Sequence, residues 1–317
     1  MKFINKIFLV SLSFILFIGI FSVNTDVKAL AASTNDAALK AEQITGTEEL
    51  VKADDKGIIN NDIGAIKLPE DNTDKINVNN GDNEQSSIGI GVPNEMNIGS
   101  PIVTNDGSYQ YNGEHRNVDL VIQPTDVGVR SILSINNQNA PKRYDFKLDL
   151  PKGQKLVFSS DYFGKDLALE DDVEEVFVVD ENNVIQSVFG EAWAKDANGN
   201  PVPTHYEIVD NSLIQVVDFN KDTAFPVLAD PDWVAIGACA GALTWFVGSN
   251  LFAAAKIIKV KKYINSLGGF RETAKLITKA TSWEEKLRVG GSALKSLAAE
   301  ITGVAGLYAC NKFIKKK

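Results

Sequence analysis

Two cysteines, two histidines and a clustered set of lysines are the residues of this chain whose types and spacing could do chemistry. Cys239 and Cys310 both fall within the last 87 residues. In an oxidising compartment such a pair can close one disulfide, and in the chain-entropy picture a loop of this length contributes roughly 4 kcal/mol. The competing reading is two buried thiols, since a free cysteine packs as a small hydrophobe. The disulfide is favoured on compartment rather than geometry. His115 and His205 stand in turn-rich surroundings with no cysteine near them in sequence. No Gly-x-Ser-x-Gly and no paired histidine spacing occurs, so neither nucleophilic catalysis nor a metal centre is expected. Gly89-Ile90-Gly91 lacks the strand-to-helix context that a phosphate loop needs. The many carboxylates read as solvated surface. An enzyme is not expected, and neither is a cofactor.

The lysines carry a different chemistry. Residues 231–317 hold fourteen Lys and Arg against five acids, about +9, whereas residues 32–230 hold 15 basic and 35 acidic residues, about −20. The overall pI near 4.9 hides that asymmetry. Lys256, Lys259, Lys261 and Lys262 follow a 22-residue stretch without charge, and Lys315, Lys316 and Lys317 end the chain. With Trp233 and Trp245 they form the expected membrane-binding set, because buried apolar area and basic charge together give strong adsorption to an anionic bilayer. Nucleic acid is the weaker partner: only Arg271 and Arg288 are arginines here, and few polar readers accompany them.

The elements that must position these residues change along the chain. Lys2 and Lys6 precede a long apolar core, and Ala29-Leu30-Ala31 has the form a signal peptidase accepts, so residues 1–31 read as a secretory signal cut after Ala31. A retained N-terminal anchor is the alternative. Residues 32–99 are rich in Asp, Asn and Gly without one aromatic, and are expected to form a disordered acidic leader. Residues 100–230 show short alternating runs, such as Tyr144, Phe146, Leu148 and Leu150 against Asp145, Lys147 and Asp149, which predict a small antiparallel β-sandwich. Two prolines within residues 225–233 predict an extended connector. Beyond it the spacing predicts helices: a first from residues 234–255 onward, a stop at Gly268-Gly269, a capping box at Ser282 to Glu285, and a break at Gly290-Gly291. The expected class is therefore α+β: leader, sandwich, then a compact α-helical C-terminal bundle with one disulfide.

The stretch from Trp233 to Cys310 resembles the closticin type of large secreted bacteriocin. The likeness rests on the run Lys256-Ile257-Ile258-Lys259-Val260-Lys261-Lys262-Tyr263-Ile264, on Leu267-Gly268-Gly269, and on Ala280-Thr281-Ser282-Trp283-Glu284-Glu285-Lys286-Leu287. It extends through residues 298–306 and covers about a quarter of the chain. The resemblance implies a secreted preproprotein whose active C-terminal peptide, residues 231–317, is released at Asp230-Pro231. Such a bond is a weak link, because the Asp carboxyl can attack its own carbonyl and the tertiary proline nitrogen leaves well once protonated. It further implies killing of related bacteria by permeabilising their anionic membrane, with a target-cell receptor as one option and a separate immunity protein in the producer. The alternative is a cell-surface structural protein anchored by an apolar helix over residues 234–255.

Overall fold

Among the described residues the architecture is built from seventeen short strands, some buried on one face only and others on both. The computed structural model describes residues 41, 50–54, 58–62, 64–71, 73–79, 87–104, 107–113, 115, 117–235, 242–243, 246–248, 252–279 and 282–302. All of these except Ala41 lie in one unit, Glu48–Lys317. The strands are β1 (Ile59–Asn61), β2 (Gly64–Lys67), β3 (Lys75–Asn79), β4 (Ile88–Gly91), β5 (Ile102–Val103), β6 (Tyr109–Asn112), β7 (Val118–Thr125), β8 (Gly128–Ile135) and β9 (Arg143–Asp149). After β10 (Lys155–Phe158) and the short helix α1 (Ser159–Phe163) come β11 (Val176–Val179), β12 (Ile185–Phe189), β13 (Trp193–Lys195), β14 (Thr204–Val209) and β15 (Ser212–Val217). The chain continues with β16 (Val227–Asp230), β17 (Asp232–Ala235), α2 (Ala254–Ser266), α3 (Gly269–Thr278) and α4 (Trp283–Ile301).

Two antiparallel sheets share one contiguous hydrophobic core. The first runs β1-β2-β3-β4-β9-β15-β14, and the second runs β10-β11-β12-β17-β8-β7-β6-β5, with β16 on β8 and β13 on β16. Strand β9 shows the expected pattern plainly: Tyr144, Phe146 and Leu148 are buried while Arg143, Lys147 and Asp149 are exposed.

The expected class fails at three places. The leader is not wholly without structure, because β1 to β4 extend the first sheet, and Ile76, Val78, Ile88 and Ile90 enter its core. Averaged composition hid this: one Ile or Val every second residue between Asn and Gly is enough for a half-buried strand. The helices do not close a bundle of their own. Helix α3 packs on β12 and β17, and Phe270 joins Phe163 and Phe177, with centroids 5.1 and 5.6 Å away. No disulfide is present among the described residues, and Cys239 and Cys310 lie outside them.

The apolar run 234–255 is likewise not one helix. Val234 belongs to β17 and the regular helix starts at Ala254. A central strand buried on both faces and a buried helix look alike in a short apolar run. Among the described residues, no helix is long and apolar enough to cross a membrane. The local signals fared better: Ser282 Oγ accepts from the Glu285 N–H at 3.2 Å, and α4 is kinked at Gly291.

Candidate functional site

The residues at positions 225–233 do not form a connector. Strands β16 and β17 pair with β8 in a single register, Ala229 opposite Leu133 on one side of Pro231 and Asp232 opposite Arg130 on the other. Pro231 continues the strand between them, and its carbonyl accepts the Ser131 N–H at 3.4 Å. A proline in a strand interior forfeits one ladder donor. Here the sheet absorbs that loss, because the flanking Val227, Ala229, Trp233 and Val234 are all buried. On the other flank Trp193 pairs with Asp230 and Phe189 with Trp233, and the Gly190 N–H donates to the Asp232 carbonyl at 3.0 Å. The Asp230–Pro231 bond therefore lies in the middle of a sheet, with strands on both sides and Asp230 only 2% exposed.

Alternation along this strand sorts its side chains. Trp233 and Ala229 contribute to the shared core, while Asp230 and Asp232 point to the opposite face. There Asp232 meets Arg130 Nε at 3.5 Å and forms an ion pair with Arg271 of α3. Arg130 Nη1 also donates to Gln123 Oε1 at 3.4 Å. Asp230 Oδ1 has no hydrogen-bond partner, and the buried Tyr206 hydroxyl of β14 donates to the Asp230 main-chain carbonyl at 3.0 Å. Glu175, just before β11, accepts the N–H groups of Phe270 and Arg271 at 2.9 and 2.8 Å and so closes the N-terminus of α3. Gly269 makes that contact possible: its φ is 96°, and a Cβ there would sit 3.0 Å from Glu175 Oε1.

Burial pushes the carboxyls of Asp230 and Glu175 up to about 7 each, against the opposing pull of Arg271 on both. Burial also holds the Tyr206 phenol well above its usual range, so it stays a donor. For an acid whose folded value is raised, the folded state binds more protons than the unfolded one between about pH 4 and 7. Stability from these two groups is full below the unfolded values, falls through that window and levels off above it. Glu175→Gln is expected to flatten part of this slope, by a few kcal/mol at most. Urea midpoints of wild type and variant across pH 4 to 8 check it, and parallel curves would contradict it.

The lysines of the basic segment are placed unequally. Lys261 is buried: its Nζ donates to the Leu167 carbonyl at 2.6 Å and to Asp172 at 2.7 Å, and it lies 4.5 Å from the Phe163 ring centroid. The Lys261 and Asn265 side chains, with the Leu169 N–H, hold the Asp172 carboxyl below the ordinary carboxylate range even though its partial burial pushes the other way. Lys259 is exposed and pairs with Glu300, Lys262 is exposed, and Lys256 lies 5.9 Å from the Phe246 ring centroid. Trp233 is fully buried. Ala31, Trp245, Lys315, Lys316 and Lys317 lie outside the described residues. His205 is exposed on β14, 3.7 Å from Glu207, and His115 is exposed between β6 and β7.

Sequence reasoning missed Arg130, Glu175, Tyr206 and Asp232, and the carboxylates of Asp230, Asp232 and Glu175 are buried rather than solvated. The available signal was the alternation of Asp230 and Asp232 within an otherwise apolar run, which puts two acids on one face of a strand. The chain matches no protein-family model and no curated protein at a significant level.

Proposed function

We propose that this chain is the secreted precursor of a cationic bacteriocin similar to the closticin type. Its C-terminal segment, residues 231–317, is released at Asp230-Pro231 and kills related bacteria by permeabilising their anionic membrane. The observation that supports this reading is the way the acidic β-domain grips the basic segment. Strand β17, the first element after the cleavage point, is inserted between β8 and β12. Asp172 takes Lys261, Asp126 takes Lys279 at 2.8 Å, and Glu175 takes the start of α3. Trp233 and Lys261 are thereby turned inward while Lys259 and Lys262 stay exposed, so the precursor is masked in part by packing and in part by net charge. A receptor on the target cell is compatible with this mechanism, and a separate immunity protein would protect the producer.

The purified 231–317 peptide is expected to release dye from vesicles rich in anionic lipid and to kill susceptible cells. A peptide inert towards both would contradict the proposal.

A further inference from the structure

If a protease were to release the segment, its cleft would have to take in an extended and exposed stretch of chain around the bond. The bond here is the reverse: buried, and flanked by paired strands on both sides. Any protease would have to wait for the sheet to open, whereas a group already inside needs no access.

From this burial, the unpartnered Asp230 Oδ1 and the Tyr206 hydroxyl on the Asp230 carbonyl, we infer that the folded precursor cuts its own Asp230–Pro231 bond. The inference rests on the proposed release point and assigns its agent. In the step, an Asp230 carboxyl oxygen attacks the Asp230 main-chain carbonyl carbon and closes a five-membered cyclic anhydride. The C–N bond to Pro231 breaks, and the carboxyl proton passes to the proline nitrogen, which leaves as a secondary amine. Water then opens the anhydride, leaving Asp230 as a free C-terminus. Tyr206 is the catalytic donor: its hydroxyl already touches the oxygen on which negative charge develops, in a water-poor setting where such a bond counts most.

Burial keeps the Asp230 carboxyl in its protonated form up to about pH 7, which supplies the proton that the leaving nitrogen needs. The charged groups facing it are Arg130 from β8, Asp232 from β17, and Arg271 and Lys275 from α3. Asp232 is engaged by both arginines, whereas the Asp230 carboxyl, hydrogen-bonded by the Trp193 side chain, keeps its Oδ1 without a hydrogen-bond partner.

The test uses the full chain, purified to homogeneity and incubated in buffer at pH 6, with intact mass as the readout. Wild type is expected to yield two fragments, the second beginning at Pro231, and to form a hydroxamate at Asp230 when hydroxylamine is present. Asp230→Ala is expected to stay intact, and Tyr206→Phe to cut about 100- to 1,000-fold more slowly while remaining folded at pH 6, with only the small fall in unfolding midpoint that loss of one buried hydrogen bond brings. Wild type that persists in buffer, or a Tyr206→Phe variant that cuts at the wild-type rate, would overturn self-cleavage. If wild type persists yet a protease from the culture medium yields an active peptide, the inference fails and the proposed function stands. If self-cleavage occurs and the peptide is inert, the reverse holds.

Discussion

The Trp233→Ala chain is expected to unfold about 3–5 kcal/mol more readily than wild type, the usual cost of removing a large buried aromatic. Trp233 is fully buried between Val129 of β8 and Phe189 of β12, at the strand that joins the basic segment to the β-domain. Its removal leaves a void that neighbours locked in sheet pairing cannot fill. The indole Nε1 has no partner in its buried position, which already costs part of what the ring contributes. Trp233→Phe should therefore lose far less than Trp233→Ala. Urea unfolding of the three full chains decides this, and equal losses for Phe and Ala would show that the ring is not what the sheet packs around.

Asp232→Leu should cost a similar amount, about 3–5 kcal/mol, for an electrostatic reason. One buried carboxylate serves two guanidinium groups, Arg130 from the β-domain and Arg271 from α3. Without it two positive charges remain on a buried face, beside each other and short of their shared acid. The double variant Asp232→Leu with Arg130→Met should recover part of the loss, because it removes one of the two charges left without their acid while Arg271 keeps its pair with Glu272. Losses that simply add in the double variant would contradict the coupling.

How much of this was legible in the sequence depended on whether a single level of pattern sufficed. Strands with strict alternation and aromatic content, such as Arg143–Asp149, could be read directly, and so could the Ser282 cap, whose chemistry is local. Strands β1 to β4 were hidden because their Ile and Val sit among Asn, Asp and Gly, and an average over the segment sees only polarity. The strand through Pro231 was hidden for the opposite reason. A local rule, that proline breaks pairing, was outweighed by long-range burial of its neighbours on both faces. The helices were recognised as helices, but an amphipathic face says only that it needs an apolar partner. Here Phe270 found Phe163 of the short helix α1 and Phe177 of β11. The site combines both failures. Asp230, Tyr206, Arg130 and Arg271 come from four different elements, and only the packing of the two sheets and α3 brings them together.

Binding to vesicles rich in anionic lipid, measured side by side for the intact chain, the Trp233→Ala chain and the separated 231–317 peptide, tests the central claim most directly. Masking by strand insertion predicts strong binding by the peptide, weak binding by the intact chain, and intermediate binding when the Trp233 anchor is lost. Equal binding by intact chain and peptide would show that the β-domain conceals nothing.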